Sequence, residues 1–228
     1  RARPPRTRCR RASSRSEPAG PGSVRVVPSI EALEIADEPA AWRGAGFDVD
    51  GDACRVSRVA LTLAGRGARR GILGWTLGEA PDGDPAGPHP NGVVRIDHVV
   101  MLTPDLDRTV AELESQGFDL RRRRDGPTPG GSTRQAFFRA GEPILEVVLA
   151  PEGSSVARDP DGEARLWGLA FGVEDLDATA RALGDVLGSP RDAVQPGRRI
   201  ATLRSEAGLG PAIAFMSPGR DALGAGPG

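Results

Sequence analysis

The chain has 228 residues, 38 % of them hydrophobic, with 31 Gly and 21 Pro, so it is long enough for one large or two small domains built on short strands. A formal net charge of -1 excludes nucleic acid or an anionic membrane as a general partner; all 30 basic residues are arginine, a bias a GC-rich code also produces, so arginine abundance alone does not mark an anion binder. Only Cys9 and Cys54 occur, which excludes a disulfide framework or a cysteine zinc site, and no apolar run approaches the roughly 20 residues of a membrane span; the expected location is cytoplasmic.

Residues 1–24 carry seven arginines among Pro, Ser, Gly and Ala and have almost nothing apolar to bury, so a disordered tail is expected. Residues 25–78 read as a small folded region. Ile30 to Ala36 alternates like a strand, Glu38 to Gly46 is a short helix candidate, ACRVS and RVALTLAG form a hairpin, and GILGWTL is a further strand. Its order resembles a trimmed copy of the two units beyond residue 92, a degenerate half-unit. Residues 79–92, EAPDGDPAGPHPNG, have linker composition, and His89 between two prolines reads as a solvated loop residue.

Two clear copies of one unit span 93–151 and 164–218, within a domain of 93–218; residues 219–228 are expected to be a second disordered tail. In the first unit, strand 94–102 enters a helix ending at Ser115, capped by Thr103 or Asp105 and stopped by Gly117. Strands 118–123, 133–139 and 143–149 come next, the first two joined by the turn DGPTPGG. The second unit repeats the order with strand 165–173, helix 175–187, a weak strand near 191–195, and strands 198–204 and 211–216. Asp105-Leu106-Asp107 recurs as Asp175-Leu176-Asp177, and Arg134, Ala136 and Arg139 recur as Arg199, Ala201 and Arg204. The copies differ at His98, which falls on Gly168, and at Glu146, where Ile213 takes the place when the closing prolines are aligned.

The expected fold is therefore α+β, with tandem β-α-β-β-β units and a degenerate N-terminal half-unit. IDHVVMLTPDLDRTVAELESQGF, RQAFFRAGEPILEVVLAP and their weaker counterparts WGLAFGVEDLDATARALG and PAIAFMSP resemble the vicinal oxygen chelate superfamily, the glyoxalase/bleomycin-resistance/dioxygenase group. The resemblance implies paired units curled around a pocket, with a divalent metal held from the first and fourth strands and acting on a substrate with neighbouring oxygens. The units could pair within one chain or across a homodimer.

On that resemblance His98 and Glu146 are the metal-ligand candidates for Zn, Ni, Mn or Fe, with Glu146 also the catalytic proton carrier. Gly168 and Ile213 leave the second unit without ligating side chains, and Glu34 on the N-terminal strand is the best internal source of a third donor. A buried Glu146 without metal would still need a partner, and His98, Arg134 or Arg139 could serve. Gln135, Phe137, Arg139 and Trp167 are substrate-contact candidates, although a core position is the commoner role for such a tryptophan. The run Arg121 to Arg124 reads as solvated, with an anion patch as its alternative. The implied function is a metal-dependent lyase, isomerase or hydrolase acting on a small oxygenated metabolite. The competing reading is a metal-free small-molecule sequestering protein.

Overall fold

The computed structural model describes residues 27–79, 84–128 and 131–219. The tail expected over 1–24, all but the first residue of that over 219–228, and part of the 79–92 segment lie outside them.

Chain order begins with β1 (Ser29–Ile35), α1 (Pro39–Gly44), β2 (Ala53–Val56), β3 (Val59–Leu63) and β4 (Ile72–Gly78), which form a four-stranded sheet in the order β2-β3-β1-β4. β1 runs parallel to β3 across the helix and antiparallel to β4. The N-terminal sheet thus carries a trimmed helix beside its four strands.

The first full unit comprises β5 (Val93–Thr103), α2 (Leu106–Ser115), β6 (Asp119–Thr128), β7 (Gly131–Arg139) and β8 (Ile144–Leu149). The second comprises β9 (Arg165–Val173), α3 (Leu176–Leu183), β10 (Arg191–Asp192), β11 (Arg199–Thr202) and β12 (Ala212–Met216). All eight strands form one sheet, ordered β10-β11-β12-β9-β5-β8-β7-β6. β5 and β9 meet antiparallel at its centre, and each is flanked by the parallel last strand of its own unit. The two units therefore pair within a single chain.

The repeated residues have a structural explanation. Asp105 caps α2 by accepting from the Arg108 N–H at 3.0 Å, and Asp175 caps α3 by accepting from the N–H groups of Asp177 and Ala178. Each cap contributes about 1 kcal/mol. Thr103 instead sits fully buried ahead of the cap, bonded to the Thr109 hydroxyl at 2.7 Å. The second aspartate of each copy pairs with the recurring arginine, Asp107 with Arg134 and Asp177 with Arg199. Ala136 and Ala201 are buried on the intervening strands, where a larger side chain would keep the helix off the sheet. The repeat motif thus docks a helix onto a sheet.

Two elements differ from expectation. The DGPTPGG segment is largely paired strand, with Asp125 opposite Arg134 and Thr128 opposite Gly131, because the hairpin ladder continues through its prolines and glycines; residues 129–130 at its tip lie outside the described residues. α3 stops at Leu183 rather than 187, since Gly184 takes φ 56° and a single 3-10 turn follows.

The N-terminal sheet covers the helix-bearing face of the large sheet. Trp42 and Phe47 pack on Phe171 of β9 at centroid distances of 6.2 and 5.0 Å, and Trp75 stacks on Phe118 at 6.0 Å. Buried Asp37 accepts from the Trp42 indole N–H and from the Gly210 N–H, tying this sheet to the second unit. The solvated-loop expectation for His89 is overturned. Its ring is buried against Phe47, its Nδ1 accepts from the Asp48 N–H at 3.0 Å, and burial lowers its pKa despite the nearby Asp48 charge. Two residues on, the Asn91 side-chain amide donates to Ala45 O. The Pro and Gly content read as linker therefore belongs in part to a fitted joint. No helix among the described residues is long and apolar enough to cross a membrane.

Candidate active-site cleft

The other face of the large sheet carries a cleft of about 710 Å³, within the usual range for small-molecule sites. Alternation along the strands decides most of what faces it: His98, Val100 and Leu102 from β5, Glu146 and Val148 from β8, and Gln135 and Phe137 from β7. The second unit supplies Trp167, Gly168 and Ala170 from β9 and Ala212, Ala214 and Met216 from β12. No residue of the N-terminal sheet lines it, and Glu34 sits exposed on β1, outside the cleft.

His98 is buried and anchored by a residue that strict alternation puts on the opposite face. β5 bulges between Ile96 and His98 against β9, so Asp97 is an extra residue. The bulge brings Asp97 and His98 to the same side. Asp97 Oδ2 accepts from His98 Nδ1 at 2.7 Å, and the same carboxylate takes a bidentate pair from Arg198 at 2.8 and 2.9 Å, with Arg95 at 3.2 Å. Burial alone would raise the Asp97 pKa; hydrogen bonds from His98 and Arg198 outweigh it and hold the carboxyl well below the usual carboxylate range. The committed Nδ1–H leaves Nε2 for the cavity.

Glu146 lies two positions further along the sheet, paired with Val100 on β5 and Phe137 on β7. Burial raises its pKa, and the charges of His98, Arg124 and Arg122 only partly counter that. Gln135 Nε2 donates to Glu146 Oε1 at 2.6 Å, while Gln135 Oε1 is buried without a partner among the described residues. That amide can serve either protonation state. As placed it donates to a carboxylate; turned by half a rotation, its oxygen accepts from a protonated carboxyl.

The remaining candidates divide. Phe137 is buried beside His98, with ring centroids 6.2 Å apart, and Arg122 lies over its face at 4.7 Å. Arg139 is exposed and lines a second cavity adjoining the cleft. Trp167 is 50 % exposed on the cleft wall, which corrects the core position favoured for it from sequence. The β5–β9 register shifts between Gly168 and Leu166, so Trp167 is an extra residue and its indole turns to the opening. Of Arg121 to Arg124, only Arg123 faces α2, where it pairs with Asp107; the other three line the two cavities. Arg134 also pairs with Asp107 at 3.3 Å, so it is engaged away from Glu146. Cys54 is no nucleophile: its thiol, buried in the core and close to Asp48, is pushed up to about 12.

The second unit's counterpart of Glu146 is corrected by strand register. His98 pairs with Ala170 and Val100 with Gly168 across the β5–β9 centre, so His98 and Gly168 are equivalent. Glu146 pairs with Val100; the residue pairing with Ala170 on β12 is Ala214, not Ile213. Ile213 is buried in the core, and aligning the closing prolines slips the strand by one. At position 168 a side chain is excluded sterically, because a Cβ there would lie 2.6 Å from the Ala212 carbonyl oxygen.

A divalent metal of the kind the family resemblance implies would therefore find His98 Nε2 and Glu146. Catalytic sites ordinarily offer three protein ligands, and no group of three His, Cys, Asp or Glu among the described residues is placed to hold an ion. The donor set does not fit a catalytic metal.

Residues 84–202 match the Glyoxalase/Bleomycin resistance protein/Dioxygenase superfamily, and the chain belongs to that superfamily. No curated protein matches it. Among solved structures it is similar to methylmalonyl-CoA epimerase from Mycobacterium tuberculosis, at 23 % identity over 59 % of this chain and 94 % of that one, with a TM-score of 0.47. A methylmalonyl-CoA epimerase variant from Streptomyces coelicolor, in complex with 2-nitronate-propionyl-CoA, is 24 % identical over 56 % of this chain and 96 % of its own, with a TM-score of 0.45. A hypothetical protein from Bacillus halodurans is 18 % identical over 54 % and 94 %, also at 0.45.

Proposed function

We propose that the cleft binds a small oxygenated molecule and that Glu146, with His98, moves a proton on it. The observation that supports this reading is a partly buried carboxyl with a raised pKa, sharing a cleft with an imidazole oriented by buried Asp97. A carboxylate held less acidic than usual is a stronger base once ionised, which suits proton abstraction next to a carbonyl. The Gln135 amide N–H groups would hold the substrate oxygen on which charge develops, while His98 Nε2, its lone pair free because Nδ1–H is held by Asp97, would accept a proton or a substrate hydroxyl. The reaction class is a lyase or isomerase step initiated by proton transfer. The N-terminal sheet, read as a degenerate half-unit, backs the large sheet and leaves the chemistry to residues 93–218.

A screen of small oxo-acids, hydroxy-acids and diketones by thermal shift, followed by mass spectrometry of each hit incubated in D2O, tests this directly. The expected result is deuterium incorporation that Glu146→Gln abolishes while binding persists. Hits that bind without exchanging would favour sequestration, a reading supported by the apolar mouth formed by Trp167 and Val194. No hit at all would refute both.

A further inference from the structure

We infer that the cavity beside the cleft is an anion-binding annex in which Arg122 and Arg139 hold a phosphate or carboxylate group of the ligand; this rests on the proposed cleft function. The annex has a volume of about 540 Å³ and shares His98, Phe137 and Gln195 with the cleft, so one molecule can occupy both. Among the described residues, four arginines line it and no acidic residue does.

Two of those arginines are already neutralised. Arg198 is bound to Asp97, and Arg121 reaches Asp119 at 3.2 Å. Arg122 and Arg139 make no ion pair among the described residues. Two uncompensated positive charges at one cavity suit a dianion or a pair of carboxylates, and guanidinium forks match such oxyanions bidentately.

Local structure aims this charge. β6 bulges between Leu120 and Arg122, so Arg121 is an extra residue and both arginines turn toward the annex. Arg122 then lies 4.7 Å over the Phe137 ring, and the same ring contacts His98. An aromatic face restricts the guanidinium while leaving its in-plane N–H groups free to donate. Asp119 pairs across the ladder with Arg139, which places Arg139 at the same end of the sheet.

The test is isothermal titration of the full chain with inorganic phosphate and, separately, with citrate, at low and at physiological salt. Arg122→Gln, Arg139→Gln and the control Arg123→Gln are compared; the control removes the same charge from the same strand but on the face toward α2. We expect saturable binding of at least one anion, weakened about fivefold or more by each annex substitution and less than about twofold by the control. Phosphate alone would indicate a phosphorylated ligand, citrate alone a polycarboxylate, and either supports the annex. No binding of either anion, or an equal loss in Arg123→Gln, would overturn it. The outcome is separable from that of the cleft: neutral hits that bind and exchange deuterium while both anions fail would leave the cleft function standing without the annex. Anion binding without any cleft hit would leave the annex without the function.

Discussion

The two units of the large sheet are built alike and equipped differently. Both have an aspartate-capped helix, a buried alanine beneath it and the same arginine–aspartate pair holding helix to strand. Facing the cleft, however, the first unit offers His98, Glu146 and Gln135, whereas the second offers Gly168, Ala214 and Trp167. Motifs that specify a fold lie on the outer face and at helix ends. The polar candidates lie on the inner face, where the second copy carries small and apolar residues instead. A repeat can therefore establish architecture while saying that only half of it is reactive.

The largest expected effect tests the anchor found in the first unit. Asp97→Asn leaves Arg198 and His98 facing a neutral amide in a largely buried setting and should cost about 3 kcal/mol in urea unfolding. A loss under about 1 kcal/mol would mean the network orients His98 without stabilising the fold. Next, Gly168→His should cost about 2 kcal/mol, since its Cβ must displace the Ala212 carbonyl, whereas Ala214→Glu, partly exposed to the cleft, should change stability by less than about 1 kcal/mol. Equal stability of the two variants would break the steric part of the comparison.

The third effect comes from the Glu146 proton. With the folded pKa raised above the unfolded one, both states are protonated at low pH and no cost arises. As pH climbs from the unfolded value toward the folded value, only the unfolded chain ionises, and stability falls. Glu146→Gln lacks this loss, so its stability relative to the parent should improve across the range above the ordinary glutamate value of about 4.3. A constant difference across that range would contradict the raised pKa. Smaller still, addition of Ni, Zn or Mn should leave the melting temperature unchanged; a clear rise would reveal a third ligand from a neighbouring subunit or from residues outside those described.

Much of this was legible in the sequence. The β-α-β-β-β order came from hydrophobic alternation, turn residues and the recurring aspartates; His98 and Glu146 came from the family resemblance, and Gln135 and Phe137 from alternation along their strand. What was missed lies where counting by twos fails. Strict alternation puts Asp97 on the face opposite His98, and a bulge reverses it. A charged residue inside the apolar run IDHVV was the available signal, because it must find a partner if buried. Arg198 arrives from a loop 101 positions away, which local pattern cannot reveal. The slip between Ile213 and Ala214 came from aligning prolines that end the strands rather than the ladder itself. Burial of His89 depends on a joint between two sheets, and proline-rich composition does not distinguish a joint from a linker.

The proposed proton abstraction in the cleft rests on a single carboxyl of the first unit held less acidic than an ordinary glutamate, and so a stronger base once ionised. Carbon-13 NMR of the Glu146 side-chain carboxyl, assigned by comparison with Glu146→Gln and titrated from about pH 3 to about pH 9, measures this directly. A midpoint clearly above the ordinary glutamate value of about 4.3 is the predicted result. A midpoint at or below that value would show that the cleft does not raise the basicity of Glu146, and the observation supporting the proposed proton abstraction would be lost.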